Sequence, residues 1–256
     1  MPAPHPIPVV SSLEDLLRWV QHALGTVWEK FSGEATLLDA WATLGHLTMS
    51  SAFSGVGCPE VSLTCIAFGL AHFLERDVPM IRNTSACEHK MQNVLELRML
   101  DHPPRCIFGE IESFLKPSVR SPIQKEAHRL DTETLFKLFK KGVVNDHAHC
   151  LQHDSQCKLQ RSTLHIAGTP CPAWSPQRRA NRSASGRLDF VSFLIWIALR
   201  LLLEEPYFIH ENVCSFPVEL LERLLGQMYI IQTVVFDCTR MASLAERKRR
   251  FTCLRH

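Results

Sequence analysis

The stretch Leu164–Ser175, LHIAGTPCPAWS, carries the most informative pattern in this chain of 256 residues. Its first half predicts a short buried strand, and the segment from Gly168 to Pro170 predicts a tight turn after that strand. Cys171 lies on the turn between two prolines, which fix the backbone and leave the thiol badly placed for packing in a core. We therefore expect Cys171 to face a ligand.

A second predicted strand, Pro206–Val213, ends in a carboxylate and an amide, Glu211 and Asn212. A thiol and a carboxylate at the ends of two strands are suited to act as a nucleophile and an acid in one pocket. This pairing gives the first indication of an enzyme.

Together these stretches resemble the Pro-Cys and Glu-Asn-Val motifs of the cytosine-C5 methyltransferases. The resemblance covers residues 48–256 and implies an α/β, Rossmann-like S-adenosylmethionine-dependent methyltransferase fold, with a mostly parallel sheet flanked by helices. It also implies S-adenosylmethionine as the cofactor and a nucleic acid as the substrate, with DNA preferred over tRNA. Residues 1–47 are then an N-terminal helical extension, with helices beginning near Ser11 and Glu34.

Composition is consistent with one α/β domain, because 46% of the residues are hydrophobic. The net charge of +2 gives no overall basic field, so any contact with nucleic acid must be local. Ten irregularly spaced cysteines indicate a reducing compartment. The apolar run Phe190–Leu203 is too short to span a bilayer and predicts a buried helix, so no membrane contact is expected. We expect a nuclear location if DNA is the substrate, and otherwise a cytoplasmic one.

The segment Ser50–Glu60 contains two glycines after an apolar start, which is typical of a strand-to-helix turn that approaches a ligand closely. It resembles the first cofactor motif of the family, Phe-x-Gly-x-Gly, although Ser51 stands where the family usually has an acidic residue. The segments Asn83–His89 and Cys106–Ile111 resemble the second and third motifs. The resemblance places these residues at the cofactor: Phe53, Ser54, Gly55, Gly57, Glu88, His89, Glu110, Ile111 and Pro170.

The resemblance implies a role for each remaining site residue. Cys171 is the nucleophile, Glu211 is the acid that bonds the ring nitrogen at position 3, and Asn212 holds the strand end. Arg249 contacts the base carbonyl and Arg247 supports it, from a segment in which Ala245 replaces the family's usual glutamine.

A basic segment, Pro176–Arg187, follows Cys171 and contains four arginines but no acidic residue. In the family this segment closes over the extruded base, and a solvated linker is the alternative. The residues expected to contact nucleic acid are Ser175, Arg178, Arg179 and Arg182.

Residues 112–157 form an insertion relative to the compact family pattern. The insertion includes a predicted amphipathic helix, Leu135–Lys141, and then a polar cluster. The cluster suits a zinc ligand set in composition, but its spacing matches no established zinc finger, so we expect an ordinary polar loop without metal. Its members are His147, His149, Cys150, His153 and Cys157.

Three functions remain open from the sequence. The chain is a DNA cytosine-C5 methyltransferase, a tRNA cytosine-C5 methyltransferase, or a truncated relative without catalysis that binds cofactor, nucleic acid or a partner. The family's target-recognition domain and C-terminal motifs are expected to be absent, and a second chain could supply them. Retention of Cys171 and Glu211 favours activity. Departures from the family pattern favour the third function, namely Ser51, Glu110, Pro172 and Ala245.

Overall fold

The computed structural model describes residues 34–126, 132–139, 142–172, 174, 185–237 and 247–256. The described helices are α1 Glu34–His46, α2 Cys58–Phe73, α3 Met91–Arg98, α4 Pro117–Glu126, α5 Thr132–Phe139, α6 Ser185–Leu203 and α7 Glu219–Leu225, with a 3-10 helix at Ile111–Phe114. The strands are β1 Thr48–Ala52, β2 Arg82–Cys87, β3 Cys106–Phe108, β4 His147–Cys150, β5 Ser155–Lys158, β6 Leu164–Gly168, β7 Tyr207–Asn212, β8 Ile230–Asp237 and β9 Lys248–Arg255.

The nine strands form one sheet in the order β5-β4-β3-β2-β1-β6-β7-β9-β8. Strands β3, β2, β1, β6 and β7 are parallel to their neighbours and form the centre of the sheet. Strands β4 and β9 run in the opposite direction, next to β3 and β7 respectively. The sheet therefore has a parallel centre of five strands with antiparallel pairs on both sides, and the α/β, Rossmann-like fold predicted from the sequence is confirmed.

Side chains on the two faces of the sheet enter separate cores, because successive residues of a strand point to opposite faces. Met49 of β1 and Ile166 of β6 pack with Ala67 of α2 on one face. Ala167 of β6 and Phe208 of β7 pack on the other face with α6. Helices α1 to α3 cover the first face, and α4 to α7 cover the second.

A buried polar chain crosses the second core at His165. The indole Nε1–H of Trp196 donates to His165 Nε2 at 2.9 Å, so the proton of the neutral imidazole is on Nδ1. That nitrogen donates to Ser50 Oγ at 2.7 Å, and Ser50 lies 2.7 Å from Ser162 Oγ. Burial lowers the pKa of His165 well below its usual value, and the charge of Arg200 lowers it further. Every polar atom of this ring therefore has a partner while the ring is neutral.

Most of the elements predicted from the sequence are present. The helix from Glu34, the buried helix that ends at Leu203 and the strand before Val213 are confirmed with small shifts of their ends. The helix expected from Ser11 lies outside the described residues. The prediction of a polar loop at 147–157 is wrong, because these residues form the antiparallel hairpin β4–β5. Polar residues alternate with the buried Ala148 and Cys150 there, as in a strand with one exposed face.

Candidate functional site

The predicted site residues follow the carboxyl ends of five parallel strands. In a parallel sheet these ends share one edge, and ligands bind outside that edge where the strand order reverses. Here the order reverses at β1, which lies between β2 and β6. The loops after β1, β2 and β3 carry the residues predicted to hold a cofactor, apart from Pro170, which follows β6 together with Cys171. Of the other predicted catalytic residues, Glu211 and Asn212 end β7, and Arg249 lies near the start of β9.

The loop after β1 has an unusual backbone. Phe53, Gly55 and Gly57 all have positive φ angles, of 55°, 59° and 89°. Only glycine adopts this region without strain, so the two glycines allow the tight turn into α2. The backbone N–H of Phe53 donates to Cys87 O at 2.8 Å, and that of Ser54 lies 3.4 Å from the same oxygen. The loop is therefore fixed to the end of β2.

The carboxylate of Glu88 joins two of these loops. Its Oε2 accepts the backbone N–H of Gly55 at 2.9 Å, and its Oε1 accepts that of Lys90 at 2.8 Å. The side chain is only 5% exposed, whereas the neighbouring His89 is exposed and lies 3.5 Å from Glu88 Oε1. Glu88 thus holds the glycine loop in position, in addition to any contact it makes with a ligand.

A buried carboxylate also lies beside Ser51. Ser51 Oγ donates to Glu60 Oε1 at 2.5 Å and lies 2.6 Å from Ser54 Oγ. Burial raises the pKa of Glu60, and Glu60 Oε2 has no hydrogen-bond partner among the described residues. Helix α2 therefore supplies an acidic group next to the position where the resemblance leads one to expect it.

The loop after β3 separates two residues that the sequence assigned to the same motif. Glu110 is exposed and precedes the 3-10 helix, and its carbonyl accepts the backbone N–H of Ser113. Ile111 is buried in the second core, in the cluster that also holds Phe114 and α6. Glu110 is thus accessible to a ligand, whereas Ile111 contributes to packing.

The turn that carries Cys171 is anchored by the next aromatic residue. The backbone N–H of Trp174 donates to Cys171 O at 3.0 Å, and Ser215 Oγ donates to Trp174 O at 2.5 Å. The Trp174 ring packs edge-on against Phe193 and Phe216, with centroid separations of 5.8 and 4.8 Å. These contacts leave Cys171 and Pro170 half-buried at the edge of the sheet.

Strand β7 places Glu211 beside the start of this turn. Glu211 pairs with Gly168 across the parallel ladder, and a Cβ built on Gly168 would lie 3.2 Å from Glu211 Oε2. The other oxygen, Oε1, is 2.8 Å from the Nε of Arg249 on β9. Only two residues separate Gly168 from Cys171. Because Gly168 pairs with Glu211, the thiol of Cys171 and the carboxylate of Glu211 lie on adjacent segments.

Asn212 bonds the two segments together. Its Nδ2 donates to Thr169 O at 3.1 Å and to Thr169 Oγ1 at 2.9 Å, and its Oδ1 accepts the Val213 N–H at 2.8 Å. Thr169 Oγ1 also lies 2.7 Å from His210 Nε2. Burial lowers the pKa of His210 to about 3, so this ring is neutral in the folded protein. All these groups are buried, which makes the base of the site rigid.

In the part of the chain that it describes, the structure gives no contact between the remaining predicted residues and the group formed by Cys171, Glu211 and Asn212. Arg247 is exposed and directly precedes β9. Arg250, which the sequence did not single out, donates to Phe216 O at 2.6 Å. The residues predicted to contact nucleic acid lie outside the described residues, namely Ser175, Arg178, Arg179 and Arg182.

Sequence reasoning missed several residues of this edge. Glu60, Thr169 and His210 take part through contacts that join distant elements. Glu60 is the first carboxylate of α2, and its place in the first turn of the helix after the glycine loop is the feature of the sequence that could have identified it as a site residue. Cys106 belongs to a segment whose resemblance to the third cofactor motif gives no sign of a metal ligand. The structure brings its thiol next to Cys150, His153 and Cys157.

Comparison with known proteins gives structural neighbours only. No protein-family model and no curated protein matches the chain. A DNA modification methyltransferase encoded within a prophage of E. coli is 16% identical over 82% of this chain and 46% of its own, with a TM-score of 0.44. The Dnmt2 methyltransferase of S. pombe is 14% identical over 82% of this chain and 49% of its own, with a TM-score of 0.45. The chain spans about half the length of these two proteins.

None of the described helices is long and apolar enough to cross a membrane.

Proposed function

We propose that this chain is an S-adenosylmethionine-dependent methyltransferase that methylates carbon 5 of cytosine in a nucleic acid, with DNA preferred over tRNA. The observation that carries the proposal is the arrangement of Cys171, Glu211 and Arg249. These residues lie on adjacent segments at the carboxyl edge of the sheet, and one Glu211 oxygen is bonded to Arg249 while the other faces the start of the Cys171 turn. Attack on a pyrimidine ring requires a nucleophile next to an acid, and here the acid, Glu211, is held in place by Arg249.

The residues after β1 and β2 fit a nucleoside cofactor that carries an amino group. A carboxylate accepts about four hydrogen bonds, and Glu88 uses two of them on backbone N–H groups, so each oxygen retains one position for a ribose hydroxyl. Glu60 Oε2 has no partner among the described residues, but this oxygen is buried, so the cofactor amino group would reach it only after a local movement of the loop. Gly55 has no side chain, and a Cβ there would meet nothing within 4 Å, so the loop is open to a close approach at this residue.

Bound S-adenosylmethionine supplies an electrophilic methyl group. The Cys171 thiolate forms a bond from its sulfur to carbon 6 of the cytosine, and the displaced electron pair makes carbon 5 nucleophilic enough to take that methyl. The bond between the methyl and the sulfonium sulfur breaks, and S-adenosylhomocysteine is the leaving group. Water then accepts the proton from carbon 5, the bond between Sγ and carbon 6 breaks, and Cys171 regains its electron pair. Atoms and charge balance, and the chain is unchanged at the end.

Glu211 and Arg249 stabilise the charge that develops on the ring. Arg249 bonds Oε1, so in this proposal Oε2 carries the proton that Glu211 donates to the ring nitrogen at position 3. The base must leave its stack to reach this edge, which costs a few kcal/mol. The segment that contains Ser175, Arg178, Arg179 and Arg182 supplies phosphate contacts in this proposal.

The required partner is nucleic acid. DNA as the substrate implies a nuclear location in a cell that has a nucleus, and tRNA is the alternative substrate. A second chain that carries a target-recognition region stays a prediction.

Covalent trapping tests the proposal directly. The full chain is incubated with S-adenosylmethionine and with DNA or tRNA in which 5-fluorocytosine replaces cytosine. Fluorine does not leave carbon 5 as a proton does, so the covalent adduct persists. We expect an adduct that peptide mapping assigns to Cys171, and the nucleic acid that yields it identifies the substrate class.

Two cysteine variants make the result specific. Cys171→Ser should give no adduct, while Cys65→Ser, which changes a thiol on α2, should trap like the parent. Folded protein that binds S-adenosylmethionine but traps neither nucleic acid would contradict the catalytic proposal. That result would favour the relative without catalysis.

A further inference from the structure

Four potential metal ligands converge at the outer part of the sheet, away from Cys171 and Glu211. They are the thiols of Cys106, Cys150 and Cys157 and the imidazole of His153, and their ligand atoms all lie within 4.8 Å of one another. His153 Nδ1 is 3.4 Å from the sulfurs of Cys150 and Cys157 and 3.8 Å from the sulfur of Cys106.

These separations match the edges of a metal tetrahedron. With Zn–S near 2.3 Å and Zn–N near 2.0–2.1 Å, tetrahedral angles place a sulfur and a nitrogen about 3.6 Å apart. All three separations between sulfur and nitrogen lie within a few tenths of an ångström of that distance. Three of the six edges of a tetrahedral ligand set therefore have the length that a bound zinc ion requires, and the edges between sulfurs are no longer than 4.8 Å.

Hydrogen bonding alone does not explain the cluster. An imidazole nitrogen has either one lone pair or one proton, so His153 Nδ1 makes one good hydrogen bond. Three sulfurs nevertheless surround that single atom. Cys87, another buried cysteine of the same core, shows the ordinary arrangement, because its thiol donates to one carbonyl, that of Gly109, at 3.1 Å. A cation that binds all four atoms accounts for the convergence.

The fold brings the ligands together from two separate parts of the chain. Cys150 ends β4, His153 lies in the turn 151–154, and Cys157 lies on β5, so one hairpin supplies three ligands. Cys106 begins β3, the strand beside that hairpin.

We propose that Cys106, Cys150, His153 and Cys157 bind one zinc ion in a closed structural site. Three thiolates and one imidazole in tetrahedral arrangement are a ligand set typical of zinc, and four protein ligands leave no open position for catalysis. His153 is exposed and the Cys106 and Cys150 side chains are buried, so the ion is reached from the solvent side.

The ion would fasten the hairpin β4–β5 to the rest of the sheet. Strands β3 and β4 share the single register pair Phe108–Cys150, supported by the bond from Leu151 N to Ile107 O at 2.7 Å. A zinc ion between Cys106 and the hairpin adds a strong link where the ladder is short. Because β3 leads directly to Glu110, this link also holds one wall of the predicted cofactor site.

Metal analysis of the full chain, purified without chelators, tests the inference. We expect one zinc ion per chain by mass spectrometry of the dialysed protein. Cys157→Ser should lose most of it, Cys157→His should keep it because histidine restores a ligand, and Cys65→Ser should match the parent. Equal zinc in the parent and in Cys157→Ser would overturn the site, as would a disulfide between any two of the three cysteines in freshly reduced protein.

Cobalt substitution supplies a readout that does not depend on the stability of a variant. Co²⁺ in the parent chain should give the intense visible bands of a tetrahedral ion and a thiolate charge-transfer band in the near ultraviolet. Zinc should displace cobalt and remove both. Weak bands of octahedral cobalt without charge transfer would overturn the proposal even if every cysteine variant failed to fold. Neither readout depends on methyl transfer, so this inference and the proposed function fail independently.

Discussion

The Nε atom of Arg249 lies 2.8 Å from the Oε1 atom of Glu211, across the antiparallel pair β7–β9. Arg249 is the diagonal neighbour of Glu211, because Glu211 pairs directly with Phe251. Both side chains are about a quarter exposed, so the pair is open to a ligand but held within the sheet. This ion pair ties the orientation of the Glu211 carboxylate to a strand that is distant in the sequence.

Glu211→Gln should greatly reduce methyl transfer while leaving cofactor binding unchanged. Glutamine keeps the size of the side chain but has no acidic proton, and a positioned acid contributes about a hundredfold to ten-thousandfold to a rate. Single-turnover transfer and S-adenosylmethionine titration measure the two effects. Asp237→Asn is the matched control, because Asp237 is paired with Lys248 across the neighbouring strands β8 and β9 and has no role in the proposed mechanism. A parent-like rate in Glu211→Gln would remove Glu211 from the mechanism.

Asn212→Asp should destabilise the protein by about 1–3 kcal/mol at neutral pH. The aspartate keeps an oxygen to accept the Val213 N–H but loses both donations to Thr169, and it places a charge at a position only 2% exposed. Urea unfolding measures the loss. Asn83→Asp removes a donation to His102 O at the surface and should cost much less. Equal losses in the two variants would contradict the bridging role of Asn212.

Gly55→Ala and Gly57→Ala should differ in cost although both glycines have positive φ angles. Left-handed backbone costs a residue other than glycine about 1–3 kcal/mol in either case. At Gly57 a Cβ would also lie 3.0 Å from Leu100 Cδ1 and 3.2 Å from Leu97 Cδ2, whereas at Gly55 it would meet nothing within 4 Å. We expect Gly57→Ala to have the lower free energy of unfolding in chemical denaturation. A lower value for Gly55→Ala would show that the packing of Gly57 against α3 is loose.

Stability should fall as the pH drops below about 6.5, partly because of His210. Its pKa is about 3 in the folded protein and near 6.5 when unfolded. Between these values only the unfolded chain takes up the proton, so acid favours unfolding by about 1.4 kcal/mol per pH unit. His165, whose pKa burial also lowers, acts in the same direction, and Glu60, whose pKa burial raises, opposes it.

His210→Gln isolates this contribution, because the other groups are the same in both proteins. Glutamine can still hydrogen-bond Thr169 but does not titrate, so the slope between pH 6 and 4 should be smaller by about 1.4 kcal/mol per pH unit. Urea unfolding at several pH values gives the slope. His72→Gln, a change at an exposed position on α2, should leave it unaltered. An unchanged slope in His210→Gln would show that His210 is protonated in the folded protein.

Local patterns in the sequence predicted the central strands and the long helix well. Alternating and continuous apolar residues at 164–168, 207–212 and 190–203 specify which segments are buried, and burial fixes the type of element there. The same approach failed at 147–157, where histidines and other polar residues suggested a loop. That segment is a strand pair with one exposed face, and its polar side chains occupy that face or turn toward Cys106.

Three properties of this protein follow from its residues alone: the α/β class, the position of Cys171 on a turn after a strand, and the presence of Glu211 at the end of the next strand. These properties depend on neighbouring residues, whose spacing is visible in the chain. Folding in three dimensions is what places Glu60 beside Ser51, Arg249 within reach of Glu211, and Cys106 next to Cys150, His153 and Cys157. Those contacts depend on strand order and register, which arise from pairing between distant segments and leave no periodic signal in the sequence.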